Sequence, residues 1–147
     1  MKVKHLFFSV IAAAFLTSAI GSHKTLEVGS KAPKIETIDG ANVVADATSE
    51  GKVKIVSFWS PKKPASRITN KTLHAKYAAE PENVDLISIC LDSDENLMRE
   101  VMKQDGIEDM ECYSVNNIAR HSLKDYQADK DPKAYIIGAD GRIEKML

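Results

Sequence analysis

Val53-Lys54-Ile55-Val56-Ser57-Phe58-Trp59-Ser60-Pro61-Lys62-Lys63-Pro64-Ala65-Ser66-Arg67 is the stretch on which the fold turns. Val53 to Trp59 is a short apolar, β-branched and aromatic run of the kind that forms a buried strand. Ser60-Pro61-Lys62-Lys63 cannot continue it, and Pro64 suits the first position of a helix, read here over 64–79. Ile68, Thr72, Ala75 and Ala79 give that helix one weakly apolar stripe.

Working outward, Pro81 closes the helix and Val84 to Leu91 reads as a second apolar strand, with Cys90 near its end. Asp92-Ser93-Asp94 offers N-caps for a helix over 95–104 that stops at Asp105-Gly106. A short strand over 110–115, a modest helix over 116–125 and a strand over 133–137 follow, and Asp140-Gly141 turns the chain into a closing hairpin strand over 142–146. Upstream, residues 34–37 and 42–44 read as a short hairpin around Asp39-Gly40. Strands alternating with helices predict an α/β fold: a central, mainly parallel sheet with helices on both faces and an antiparallel C-terminal hairpin. No repeat or low-complexity tract interrupts it.

The 147 residues, 44% hydrophobic and 28% charged, suit one globular domain. Two cysteines exclude a disulfide-dense scaffold. With 20 Lys and Arg against 21 Asp and Glu the net charge is -1, which provides no basic field for a nucleic-acid backbone. The first residues, Met-Lys-Val-Lys, precede an apolar run from Leu6 to Leu16 and then small residues through Ala19-Ile20-Gly21. This is the pattern of a secretory signal peptide over 1–21, leaving 22–147 as an exported domain, periplasmic or extracellular. The apolar run is short of the roughly 20 residues a spanning helix needs, so no membrane span is expected.

The segment ending in Phe58-Trp59 and continuing to Arg67 resembles the active-site turn of the thioredoxin-like superfamily, in particular the exported thiol-disulfide oxidoreductases of the TlpA/ResA and AhpC/TSA-like group. Their strand ends in Phe-Trp and is followed by Cys-x-x-Cys-Arg at a helix start. Other landmarks agree in order: Gly29-Ser30-x-Ala32-Pro33, the strand into Asp92, Tyr126, Asp131-Pro132, and Asp140-Gly141-Arg142-Ile143. The resemblance implies a thioredoxin-like fold over about residues 26–147. It places Lys63 and Ser66 where the two reactive cysteines of the family stand. Neither an ammonium nor a hydroxyl can attack or resolve a disulfide, so no catalytic residue is assigned. The resemblance also implies a binding groove bordered by Trp59, Pro64, Arg67, Asp131 and Pro132, with Pro132 as a cis-proline. Family members carry a closing helix after the last hairpin strand, which this sequence, ending at Leu147, lacks; either the sequence is truncated or something else covers that sheet face.

Cys90 and Cys112 fall on strands expected to be neighbours. They are read as two small buried hydrophobes, as a disulfide, or as a relocated redox pair. Lys62, Lys63 and Arg67 around a helix start suit an anion, or are simply a solvated basic turn. Of the histidines, His5 lies in the signal peptide and His23 at the new N-terminus, while His74 and His121 sit on different helices, so no metal site is assigned. The function expected is non-catalytic binding of a peptide or protein partner at the groove, without a cofactor. A thiol-disulfide oxidoreductase running on Cys90 and Cys112 and a small-anion binder at the Lys62 to Arg67 turn stand as alternatives.

Overall fold

A computed structural model describes residues 25–44, 51–128 and 131–147. The expected signal peptide, with His5 and His23, lies outside the described residues. Among the described residues seven strands and three α-helices follow in order: β1 (Ile35–Glu36), β2 (Asn42–Val44), β3 (Val53–Trp59), α1 (Pro64–Tyr77), β4 (Val84–Cys90), α2 (Glu95–Asp105), β5 (Glu111–Ser114), α3 (Arg120–Asp125), β6 (Lys133–Ile137) and β7 (Ile143–Met146). β3 to β7 form one sheet in the order β5-β4-β3-β6-β7, and β1 and β2 form a separate hairpin.

The strand read first from the sequence is the centre of this sheet. β3 runs parallel to β4, with Ser57 opposite Ser88 and Trp59 opposite Cys90, and β4 runs parallel to β5. On its other side β3 is antiparallel to β6, with Ser57 opposite Ala134, and β6 is antiparallel to β7. The sheet is therefore mixed, and its antiparallel half is larger than the terminal hairpin expected from the sequence. β3 is buried along nearly all its length because both faces are covered.

On one face, α2 packs Met98, Val101 and Met102 against Trp59 and Cys90, while α1 sets Leu73 against Ile55, Val84 and Ala134. On the other face, α3 and the β1-β2 hairpin enclose Val56, Phe58, Ile87, Ile89, Tyr126 and Tyr135. Phe58, Tyr126 and Tyr135 pack with ring centroids 5.1–6.2 Å apart. The two tyrosine hydroxyls donate to the carbonyls of Pro33 at 2.7 Å and of Tyr126 at 2.8 Å. These bonds satisfy the only polar ends of the aromatic cluster.

Three local expectations change. The buried face of α1 carries Ser66, Asn70 and Leu73, and Ile68 is 65% exposed. The apolar stripe misjudged that face because the strand beneath it presents Ser57, whose hydroxyl donates to Asn70 Oδ1 at 2.5 Å. The expected helix over 116–125 is instead a 3₁₀ turn at Val115–Asn117 followed by the two-turn α3. No peptide bond among the described residues is cis, the Asp131–Pro132 bond included, in keeping with the intrinsic trans preference of X-Pro.

Candidate functional site

The β3-α1 junction is built by short-range hydrogen bonds. Lys63 is the N-cap of α1 and makes no side-chain cap, and Pro64 fills the first helical position. Ser66 takes over the task of closing the turn: its Oγ accepts from Ser60 N–H at 3.0 Å and lies 2.9 Å from Lys63 O and 3.1 Å from Ser60 O, to either of which it can donate. The hydroxyl at this position is thus a structural lock, buried with its residue at 8% exposure.

Beside this turn a groove of about 290 Å³ opens. Lys63, Ala65, Ser66 and Thr69 of the α1 end form one wall, Asp131 to Ala134 the other, Ser57 and Phe58 of β3 line it, and Leu147 closes one side. Leu147 is fixed there by paired backbone bonds with Ala134, at 2.8 and 3.0 Å. Lys63 Nζ reaches across to Asp131 Oδ1 at 3.0 Å. Both side chains are more than half exposed, so this ion pair contributes at most about 1 kcal/mol and can open.

Of the residues expected around a groove, Lys63, Ser66, Asp131 and Pro132 come together; Trp59 and Arg67 do not. Trp59 is fully buried under α2, with its indole Nε1 unpartnered, and cannot offer a face to a ligand. Its position follows from strand alternation: residue 59 shares the face of 55 and 57, and α2 covers the end of that face. Arg67 turns to α2, where Nε and Nη2 donate to Asp105 at 2.8 and 2.6 Å. Pro64 is exposed at the helix start, outside the lining. Thr69, Lys133, Ala134 and Leu147 were missed by sequence reading; the spacing of Ala65 and Thr69, one turn apart on the helix, was the available signal.

Each of the three cations around the turn faces a carboxylate. Lys62 Nζ lies 2.7 Å from Asp92, Lys63 is paired with Asp131, and Arg67 with Asp105. The hydrogen bond from Lys62 holds the Asp92 carboxyl below its ordinary range, and that from Arg67 does the same for Asp105. Cys90 and Cys112 are both free thiols. Burial pushes both up, Cys90 to about 12, so neither is poised as a nucleophile in this state. His74 and His121 each face one carboxylate, Asp109 at 2.8 Å and Glu36 at 3.3 Å, on opposite sides of the sheet.

A central sheet with two helices on one face, a third on the other, and a groove where the first long helix begins has the thioredoxin-like fold. The same architecture appears in solved structures. A thioredoxin-like protein from Parabacteroides distasonis superposes with a TM-score of 0.66 at 22% identity, covering 82% of this chain and 87% of that one. The thioredoxin domain of a thiol-disulfide oxidoreductase from Bacteroides vulgatus gives 0.62 at 19% identity, over 83% and 89%. A secreted Mycobacterium tuberculosis disulfide oxidoreductase gives 0.56 at 20% identity, over 79% and 82%. No family model matches the sequence, and no curated protein matches it. Among the described residues no helix is long and apolar enough to cross a membrane.

Proposed function

We propose that this is an exported thioredoxin-fold domain that binds an extended peptide segment in the groove between α1 and the Asp131–Ala134 edge, without thiol chemistry there. The observation that carries the reading is the groove itself. It has the size of a side-chain pocket and an opposed Lys63-Asp131 pair at its rim, yet the helix start beside it presents an ammonium and a locked hydroxyl instead of sulfur. An extended segment lying over Pro132 would place one side chain among Thr69, Ala134 and Leu147 and exchange charges with Lys63 and Asp131. Residues 1–21 serve as the export signal on this reading, and the mycobacterial disulfide oxidoreductase of similar fold is likewise secreted.

The test is selection of peptides from a random heptapeptide display library on the purified domain, followed by measurement of their affinity. Thr69→Trp, which fills the groove, should weaken the selected peptides by about 10-fold or more, while replacement of both cysteines by serine leaves affinity unchanged. Equal binding by Thr69→Trp would remove the groove from the account, and loss of binding in the cysteine variant would return the function to the thiols.

A further inference from the structure

Under α2 the sheet gathers most of the sulfur in the chain. The sequence has two cysteines and five methionines, and Cys90, Cys112, Met98, Met102 and Met110 all belong to one packed cluster. In the parallel register of β4 and β5, Ser88 pairs with Cys112 and Cys90 with Ser114. The two cysteines therefore share one face of the sheet, a diagonal step apart. Met98, in the second turn of α2, brings its Sδ to 3.6 Å from Cys112 Sγ.

Two further groups make this more than soft packing. Trp59 Nε1 and Ser88 Oγ are fully buried and have no hydrogen-bond partner. Trp59 stands opposite Cys90 in the β3-β4 register and Ser88 opposite Cys112 in the β4-β5 register, so both lie on the sheet face that carries the two thiols. Donors buried without an acceptor carry a desolvation cost. A metal-bound thiolate on that face is a strong acceptor for such donors, whereas a thiol is a weak one.

We propose that Cys90, Cys112 and Met98 form a binding site for a soft monovalent metal ion of the copper(I) class. Thiolate and thioether donors without imidazole or carboxylate select that class over zinc and over hard cations. Among the described residues no three His, Cys, Asp or Glu side chains converge, so a third donor beside the two thiols is the Met98 thioether. With metal-sulfur bonds of about 2.3 Å, sulfurs around a trigonal centre stand about 4 Å apart, and the Cys112 to Met98 separation of 3.6 Å is already close to this. Two thiolates and one monovalent cation leave a single negative charge, which the Trp59 N–H and the Ser88 O–H stabilise by donating to sulfur. Binding forms two thiolate-metal bonds and breaks two S–H bonds, releasing two protons to solvent; no oxidant or reductant enters. Cys112 is half-buried on β5, the edge strand of the sheet, which provides the way in.

The test titrates the reduced full chain with copper(I), without oxygen, in competition with a chromophoric copper(I) chelator. Pure packing of cysteine and methionine predicts that the chelator keeps the metal. The site predicts one ion held per chain, with proton release on binding. Met98→Leu, which conserves volume, should stay folded by circular dichroism and hold copper at least about 10-fold more weakly. Cys112→Ser should abolish binding, and Met146→Leu should leave it unchanged. The proposal is overturned if the chelator retains all the copper, if Met98→Leu and Cys112→Ser bind as well as the native chain, or if zinc competes on equal terms. It stands apart from the peptide groove, so Thr69→Trp should leave copper binding intact.

Discussion

Ser57 and Asn70 form a polar pair at the centre of an otherwise apolar contact, with the hydroxyl donating to Oδ1 at 2.5 Å and Asn70 Nδ2 left without a partner. Removing one member strands the other in a dry site. Ser57→Ala or Asn70→Leu alone should therefore destabilise by about 1–3 kcal/mol, whereas the double variant should recover most of the loss, as measured by a double-mutant cycle in urea. The Arg67-Asp105 pair behaves differently because it titrates. The hydrogen bond from Arg67 lowers the Asp105 pKa from its ordinary value of 3.8, so its contribution is fully present above that value and is lost as pH falls through the lowered folded value. Asp105→Asn should cost about 1–3 kcal/mol at neutral pH, and the gap from the native chain should close as unfolding is repeated in steps below pH 4.

α1 is the element where sequence pattern and structure part. Its helical span was legible from Pro64 and Pro81, but its buried face was not, since an Ile at 68 outranks a Ser at 66 and an Asn at 70 on any apolar count. What reverses the ranking is a tertiary partner, Ser57, that no local pattern contains. Leu73→Ala should accordingly cost about 2–5 kcal/mol and Ile68→Ala less than about 0.5 kcal/mol in thermal or urea unfolding. α2 was easier to read. Asp94 accepts from the N–H groups of Asn96 and Leu97, and Gly106 ends the helix at a φ of 69°, so both ends were marked by residues whose local chemistry suffices. Asp94→Ala should lower stability by about 1 kcal/mol and Asp94→Ser should restore most of it. β3 and β4 were equally plain as apolar runs, while the antiparallel union of β3 with β6 depends on long-range pairing that alternation of strands and helices does not encode.

For the whole molecule, the ordering of landmarks along the chain pointed to a thioredoxin-like fold, and the sheet order and structural neighbours agree. The candidate site was legible only in part. Lys63, Ser66, Asp131 and Pro132 line one groove, but Trp59 was displaced by α2 and Arg67 by Asp105, both contacts made by an element thirty or more residues downstream. Leu147 could not be assigned to the groove from sequence, because it arrives there through its backbone bonds to Ala134. If the scaffold of the turn is the one proposed, Lys63→Cys with Ser66→Cys should introduce measurable disulfide reductase activity in an insulin-reduction assay; a well-folded double variant that stays inert would count against that equivalence.

The most direct measurement of a groove that works without thiol chemistry is a free-thiol count. The metal-free, purified chain is equilibrated in thiol buffers from about -180 to -300 mV, the span of catalytic couples, then alkylated and weighed. The account predicts two alkylated cysteines at every potential, with both reacting only slowly until the chain is unfolded. A reversible two-electron transition joining Cys90 to Cys112 within that span would contradict it and make the protein a redox enzyme.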